Sequence, residues 1–193
     1  MAKTAKRIVL LASGGGTLAQ AVMQAVVKGT LNLEIVAVIS DRTAPVLNLA
    51  RENGFTTSLV EYSRFNNRDE WGRALEDEIA SLSPDLVVSL GFMRILPAHF
   101  VERFPTINTH PALLPLFPGA HAVRDALAAG AKETGTTVHW IDAGVDTGKA
   151  ISQVSLAILP GDTEESLHER IKIEERRLIV ETLIRYADSG EIK

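Results

Sequence analysis

A chain of 193 residues, 46 % hydrophobic and 23 % charged, has the size and composition of one folded core and not of a disordered segment. Its formal net charge of −4 argues against wrapping nucleic acid, which favours a basic face, yet leaves room for a small anion held by backbone amides. The absence of cysteine excludes disulfides, thiolate metal sites and cysteine nucleophiles.

The start, "MAKTAKRIVLLASGGG", joins a basic patch to a short apolar run, Ile8 to Ala12, that ends in glycines. A signal peptide would read similarly for a few residues, but the brevity of the run favours a buried strand. No stretch approaches the ~18 apolar residues of a membrane span. A soluble, cytoplasmic protein without a membrane or nucleic-acid partner is expected.

"RIVLLA" (Arg7–Ala12) is a continuous β-prone run, as in a strand covered on both faces. After "SGGG", the stretch "TLAQAVMQAVVKG" reads as a helix, with Leu18, Val22, Ala25 and Val26 at helical spacing and Gly29 as its stop. "LEIVAVIS" (Leu33–Ser40) is a second buried strand, "APVLNLARENG" a helix ending at Gly54, and "TTSLVEY" a third, weaker strand. "RDEWGRALEDEIASLS" is a helix with a charged outer face, limited by Pro84. "DLVVSLG" (Asp85–Gly91) is a fourth strand, and a short helix around "PAHFVERF" leads to "TINTH", a fifth. Such steady alternation predicts an α/β fold: a three-layer open sheet, parallel through its first half, with helices on both faces. After Gly119 the pattern changes. "HAVRDALAAG" is a helix, and "ETGTTVHWI" and "GKAISQVSLAIL" are consecutive strands around the loop "DAGVDTG", so the second half is mixed and partly antiparallel. "TEESLHERIKIEERRLIVETLIRYADSG" closes the chain as a long helix with Thr163 as N-cap and Glu164 and Glu165 in its first turn.

Two places carry chemistry. In "LASGGGTLAQ", Gly14, Gly16 and Ala19 satisfy G-x-G-x-x-G/A where the first strand meets the first helix. Glycines admit positive φ and close approach of a ligand, and the helix start offers unpaired N–H groups to a phosphate. Thr17 adds a hydroxyl donor. A dinucleotide site, with Asp41 as the ribose-binding acid, a single-phosphate site and a bare tight turn all fit this motif.

The second place is "TINTHPALLP". Asn108 and His110 stand two apart on a strand and so face the same way, at the carboxyl edge where open α/β sheets bind ligands. An amide and an imidazole together suit the oxyanion of a tetrahedral intermediate, with histidine moving the proton. Asp146, in "IDAGVDTG", is the candidate carboxylate that would raise the pKa of His110. Each of these also fits a blander role, a strand-end histidine or a turn aspartate. His99, His121, His139 and His168 look weaker: His139 lies within a strand and His168 within the long helix. No ligand spacing is present, so no metal is expected.

Taken together, the segments resemble the phosphoribosylglycinamide formyltransferases, the folate-dependent glycinamide ribonucleotide transformylases of purine synthesis. The likeness covers nearly the whole chain. "GGGTLAQAV" is similar to the family's phosphate loop, and "GFMRIL" (Gly91–Leu96) and "NTHPALLP" (Asn108–Pro115) to its most specific motifs. "VHWIDAGVDTG" and "HERIKIEERRL" follow in the family's order. The resemblance implies transfer of formyl from 10-formyltetrahydrofolate, a co-substrate, to the amine of glycinamide ribonucleotide. Asn108, His110 and Asp146 would be catalytic. Gly15, Gly16, Thr17 and Leu18 would hold the nucleotide phosphate, and Lys172, Ile173, Glu174 and Glu175 would meet the rest of the nucleotide. Arg68, Met93, Arg94, Ile95 and Leu96 match folate contacts, as does the loop Asp142, Ala143, Gly144, Val145, Asp146, which would bind the pterin largely through backbone. One domain would span 1–193, with the phosphate-binding half in 1–104 and the catalytic and folate-binding half in 105–193. A homodimer is one assembly open to it. Two departures stand out: Leu18 replaces an asparagine common in the family, and the link "RFPTINTHP" is shorter than usual before Asn108. Rival readings are a formyltetrahydrofolate deformylase of the same fold, a Rossmann oxidoreductase using Gly14, Gly16 and Asp41, and a non-enzymatic ligand-binding domain.

Overall fold

The computed structural model describes residues 5–192. The basic start, Met1 to Thr4, lies outside the described residues. Seven strands form one sheet in the order β3-β2-β1-β4-β5-β6-β7. They are β1 (Lys6–Leu11), β2 (Leu33–Ser40), β3 (Thr57–Leu59), β4 (Leu86–Ser89), β5 (Thr106–His110), β6 (Glu133–Trp140) and β7 (Ala150–Ala157). β1 to β5 pair in parallel; β6 runs antiparallel to β5, and β7 to β6. The expected mixed α/β sheet is therefore the observed one.

Six helices cover its two faces: α1 (Thr17–Val27), α2 (Pro45–Glu52), α3 (Arg68–Leu82), α4 (Ala98–Arg103), α5 (Ala122–Ala128) and α6 (Glu164–Ser189). Strand parity divides the core. Ile8, Leu10, Val38, Val88 and Ile107 point to the α1, α2 and α6 side, where they meet Val22, Leu47 and Ile179. Val9, Leu11, Ile39 and Val87 point the other way and pack on Trp71, Leu75 and Ile79 of α3 and Phe100 of α4. Two-sided burial explains the unbroken apolar runs of β1, β2 and β4.

Local chemistry sets the ends. Thr163 caps α6 through a full capping box: its side chain accepts from Ser166 N–H, and the Ser166 hydroxyl accepts from Thr163 N–H. Asn67 caps α3 by accepting from Glu70 N–H. The third strand is much shorter than its sequence suggests. Only Thr57–Leu59 pair with β2, which ends at Ser40; beyond it Val60 and Tyr62 N–H still donate to the Ser40 and Asp41 carbonyls, and Tyr62–Arg64 form a 3₁₀ turn.

The chain order creates a switch point. From β1 the sheet grows outward through β2 and β3, whereas β4 and β5 lie on the other side of β1. The carboxyl ends of β1 and β4 thus diverge into a crevice, the usual ligand position in such sheets. Pro105 leads directly into β5, whose register with β4 and β6 is regular, so the short link before Asn108 is accommodated without a bulge.

Candidate active site

The glycine loop lies at one wall of this crevice. Gly16 has φ of 75°, and a Cβ there would stand 2.3 Å from Val46 Cγ2, so only glycine fits. Gly14 and Gly15 have nothing within 4 Å of a built Cβ. α1 starts without a side-chain cap and without an acidic residue in its first turn, which leaves its N–H groups and positive dipole end for an anion. Leu18 is half-buried and packs against the core, so it adds apolar contact and no side-chain hydrogen-bond donor to the loop.

Asn108 and His110 share the α3 and α4 side of β5, and β6 brings His139 directly opposite Asn108. His110 is 4 % exposed and His139 1 %. Asp146 reaches both rings from the loop between β6 and β7. Its Oδ2 lies 3.3 Å from His110 Nδ1, and its Oδ1 lies 3.6 Å from His139 Nε2. The Gly119 N–H donates to Oδ2 at 2.8 Å. Asp146 itself has φ of 54°, the left-handed region that a non-glycine residue occupies at a cost of order 1–3 kcal/mol. Gly148 permits the loop to close, since a Cβ there would meet the Trp140 carbonyl oxygen at 1.7 Å.

His139 is the residue that sequence reading left without a role. Burial lowers its pKa, a hydrogen bond to the Trp140 carbonyl and the charge of Asp146 oppose this, and the net shift is downward. A neutral ring that donates from Nδ1 to Trp140 O, at 2.9 Å, turns the lone pair of Nε2 toward the Asn108 amide nitrogen at 3.3 Å. His139 thereby fixes which end of the Asn108 amide carries its donors. The signal lies in the register as well as the parity: β6 runs antiparallel to β5 with His139 opposite Asn108, and directly opposed residues share a face. His110 is tied in turn. Its Nε2 lies 2.8 Å from the Phe117 carbonyl oxygen, and Phe117 has φ of 52°. A cleft of about 240 Å³ opens beside Asp146, lined also by Leu114, Pro115, Pro118 and Thr147.

The other predicted residues separate by their surroundings. On α6, Glu175 is buried beneath β5 beside Thr109, whereas Lys172 pairs with Glu169 at 2.7 Å and Glu174 with Arg177 at 2.6 Å. Ile173 is 57 % exposed. Four consecutive helical residues span a full turn and cannot share one face. Burial pushes the Glu175 carboxyl up to about 7, against a smaller opposing pull from the Thr109 hydroxyl. Arg68 opens α3 and is exposed. Met93 is 69 % and Ile95 52 % exposed, but Leu96 is buried among the α3 and α4 core residues. Asp142 accepts from Gly144 N–H at 3.0 Å and from the Thr147 hydroxyl at 2.6 Å, so its carboxylate braces its own loop. Val145 is 47 % exposed at the loop tip. Asp41 is not free for a ribose: Ser13, Arg42 and Arg94 occupy it.

The chain is similar to known proteins over most of its length. The formyl transferase family profile matches residues 6–183. The phosphoribosylglycinamide formyltransferase of Mycobacterium tuberculosis is 48 % identical over 186 residues, covering 95 % of this chain and 86 % of its own. That of Escherichia coli is 36 % identical over 189 residues, covering 96 % and 89 %. The crystal structure of glycinamide ribonucleotide transformylase 1 from Symbiobacterium toebii superposes with a TM-score of 0.92 at 37 % identity, covering 96 % of this chain and 89 % of that one. The chain belongs to the formyl transferase family, among its phosphoribosylglycinamide formyltransferases.

Proposed function

We propose that the protein transfers a formyl group from 10-formyltetrahydrofolate to the amine of glycinamide ribonucleotide, in cytoplasmic purine synthesis. The observation that carries the chemistry is the convergence of Asn108, His110 and Asp146 at the carboxyl edge of β5, with Asp146 3.3 Å from the His110 ring. The names of the relatives support the acceptor, and the resemblance of "GFMRIL" and "DAGVDTG" to folate contacts supports the donor.

The acceptor would take the α1 and α6 side. Its phosphate would rest on the backbone of Gly15 to Leu18, and its ribose or glycinamide end would meet Glu175. The donor would take the α3 and α4 side, between Arg68, Met93 to Leu96 and the backbone of Asp142 to Asp146. The two meet where Asn108 and His110 face. One domain then carries both sites, and the donor's Met93–Leu96 contacts come from its first half.

The amine nitrogen attacks the formyl carbon, a C–N bond forms and the carbonyl electrons move to oxygen. An Asn108 N–H, oriented by His139, donates to that oxyanion together with His110. The amine then loses a proton, and the donor nitrogen gains one as its C–N bond breaks, through His110 or a water held by Asp146. Asp146 balances the charge of the ring during this exchange. His110 must give up the Phe117 carbonyl to serve the substrate, so the Phe117 peptide yields on binding. Holding both substrates in register supplies much of the rate.

A spectroscopic assay of tetrahydrofolate release, with and without glycinamide ribonucleotide, tests the reading. Turnover that requires the ribonucleotide is expected. Formate release without an acceptor would favour a deformylase instead.

A further inference from the structure

We propose that Asp41 is a positioning residue that locks the glycine loop and the "GFMRIL" loop into one relative placement. This rests on the reading of those loops as acceptor and donor sites. Asp41 follows β2 with a side chain that is 0 % exposed. Its Oδ1 accepts from the Ser13 hydroxyl at 2.5 Å, and Ser13 is the residue that opens the glycine loop. Its Oδ2 accepts from Arg94 Nε at 2.7 Å and from Arg42 Nη2 at 3.0 Å. Ser13 closes the circuit, because its Oγ accepts the Met93 N–H at 2.8 Å. The Ser13 N–H donates to the Gly91 carbonyl at 3.3 Å. One carboxylate and one hydroxyl therefore join the loop after β1 to the loop after β4.

A row of rings holds the second loop from its other side. The Arg94 guanidinium lies 4.0 Å over the Tyr62 ring, Tyr62 meets Trp71 edge-on at 5.4 Å, and Trp71 stacks on Phe92 at 6.0 Å. Trp71 is fully buried and donates from Nε1 to the Val60 carbonyl at 2.9 Å. Phe92 and Arg94 are thus fixed, which leaves the exposed Met93 and Ile95 side chains at a defined edge of the crevice. Burial alone would push the Asp41 carboxyl up, but the hydrogen bonds from Arg42, Ser13 and Arg94 outweigh it and hold the group below the ordinary carboxylate range. A buried charge with a complete set of partners is costly to break from either side. A ligand that settles the glycine loop is consequently felt at Met93 and Arg94, and the acceptor should tighten the donor.

The test compares the wild-type protein with Asp41→Ala and Asp41→Asn. Without any ligand, the Met93 amide should exchange with solvent roughly tenfold faster in Asp41→Ala, and Asp41→Asn, whose single amide oxygen keeps an acceptor for either Ser13 or the arginines but not both, should restore part of the protection. In turnover, the donor KM should rise about tenfold in Asp41→Ala with kcat changed by less than about threefold. The same ordering is expected for the factor by which glycinamide ribonucleotide tightens the donor in calorimetry. Unchanged Met93 exchange together with an unchanged donor KM would overturn the proposal, as would a fall in kcat with KM unmoved. If Asp41→Ala does not fold, Ser13→Ala must show the faster Met93 exchange, and its failure to do so counts against the clamp. If the wild-type protein transfers no formyl, the functional reading falls, while the ligand-free exchange still decides the role of Asp41.

Discussion

Asp146 sits between two imidazoles and a backbone N–H: it accepts from Gly119 N–H and faces His110 Nδ1, while the neutral His139 ring lies beside it without donating to it. An asparagine can keep the Gly119 contact but cannot balance a positive ring. Asp146→Asn should therefore lose roughly 10²–10⁴-fold in kcat with an unchanged unfolding midpoint; near-normal turnover would remove the residue from the mechanism. Glu175 makes a different prediction. Its folded carboxyl titrates near 7 because it is buried, whereas an unfolded one titrates near 4.5. The folded chain thus holds that proton more tightly. Below pH 4.5 both states are protonated and there is no penalty. As pH rises from 4.5 to 7 the unfolded chain ionises first and stability falls, until a cost on the order of 3 kcal/mol stands in full above pH 7. Glu175→Gln should flatten stability against pH across that window in urea titrations, and raise it at pH 8. A variant that keeps the wild-type slope would show that the loss comes from another group.

Among the elements, the strand–glycine–helix unit at the amino end shows which features are legible and which are not. Three glycines at a strand–helix junction already suggest an anion site, but their spelling is identical while their duties differ. Gly16 needs its φ of 75° and its closeness to Val46. Gly16→Ala should cost about 3 kcal/mol, from the left-handed backbone and the overpacked contact together. Gly15 has open space around it, so Gly15→Ala should stay within about 0.5 kcal/mol of the wild type yet weaken ribonucleotide binding. Equal stability losses for the two variants in denaturant titration would sink the distinction. The helices were readable because amphipathic spacing and end signals are local, as the Thr163 cap of α6 illustrates. The third strand was overread, because its length is set by how far β2 offers a partner, which no local pattern encodes.

Across the whole molecule, the order of strands could not be read from residue types, yet it decides the site. Asn108 and His110 were legible as a same-face pair by parity alone. That Asp146 reaches His110 depends on the antiparallel turn of β6 and β7, and that His139 joins them depends on the register of β6 against β5. Asp41 was misleading in isolation: an acid after the second strand suits a ribose, and only the folded arrangement brings Ser13 and Arg94 onto it. The same arrangement constrains the route of the formyl group. Covalent carriage by the protein needs an unengaged nucleophile in the crevice. The sequence has no cysteine, Nδ1 of His110 faces Asp146, and its Nε2, held by the Phe117 carbonyl before substrate binds, serves the formyl oxygen as a proton-bearing donor and so offers no lone pair. His139 is 1 % exposed and directed at Asn108. The acceptor and donor sides of the sheet meet at the β5 edge, so the amine can reach the formyl carbon while both substrates are bound. Initial rates measured against both substrates should give intersecting lines, and the protein incubated with 10-formyltetrahydrofolate alone should show no formyl adduct in its mass spectrum. Parallel lines together with a trapped formyl-enzyme would replace direct transfer with a two-step route, and His110 would then be the first side chain to test for the adduct.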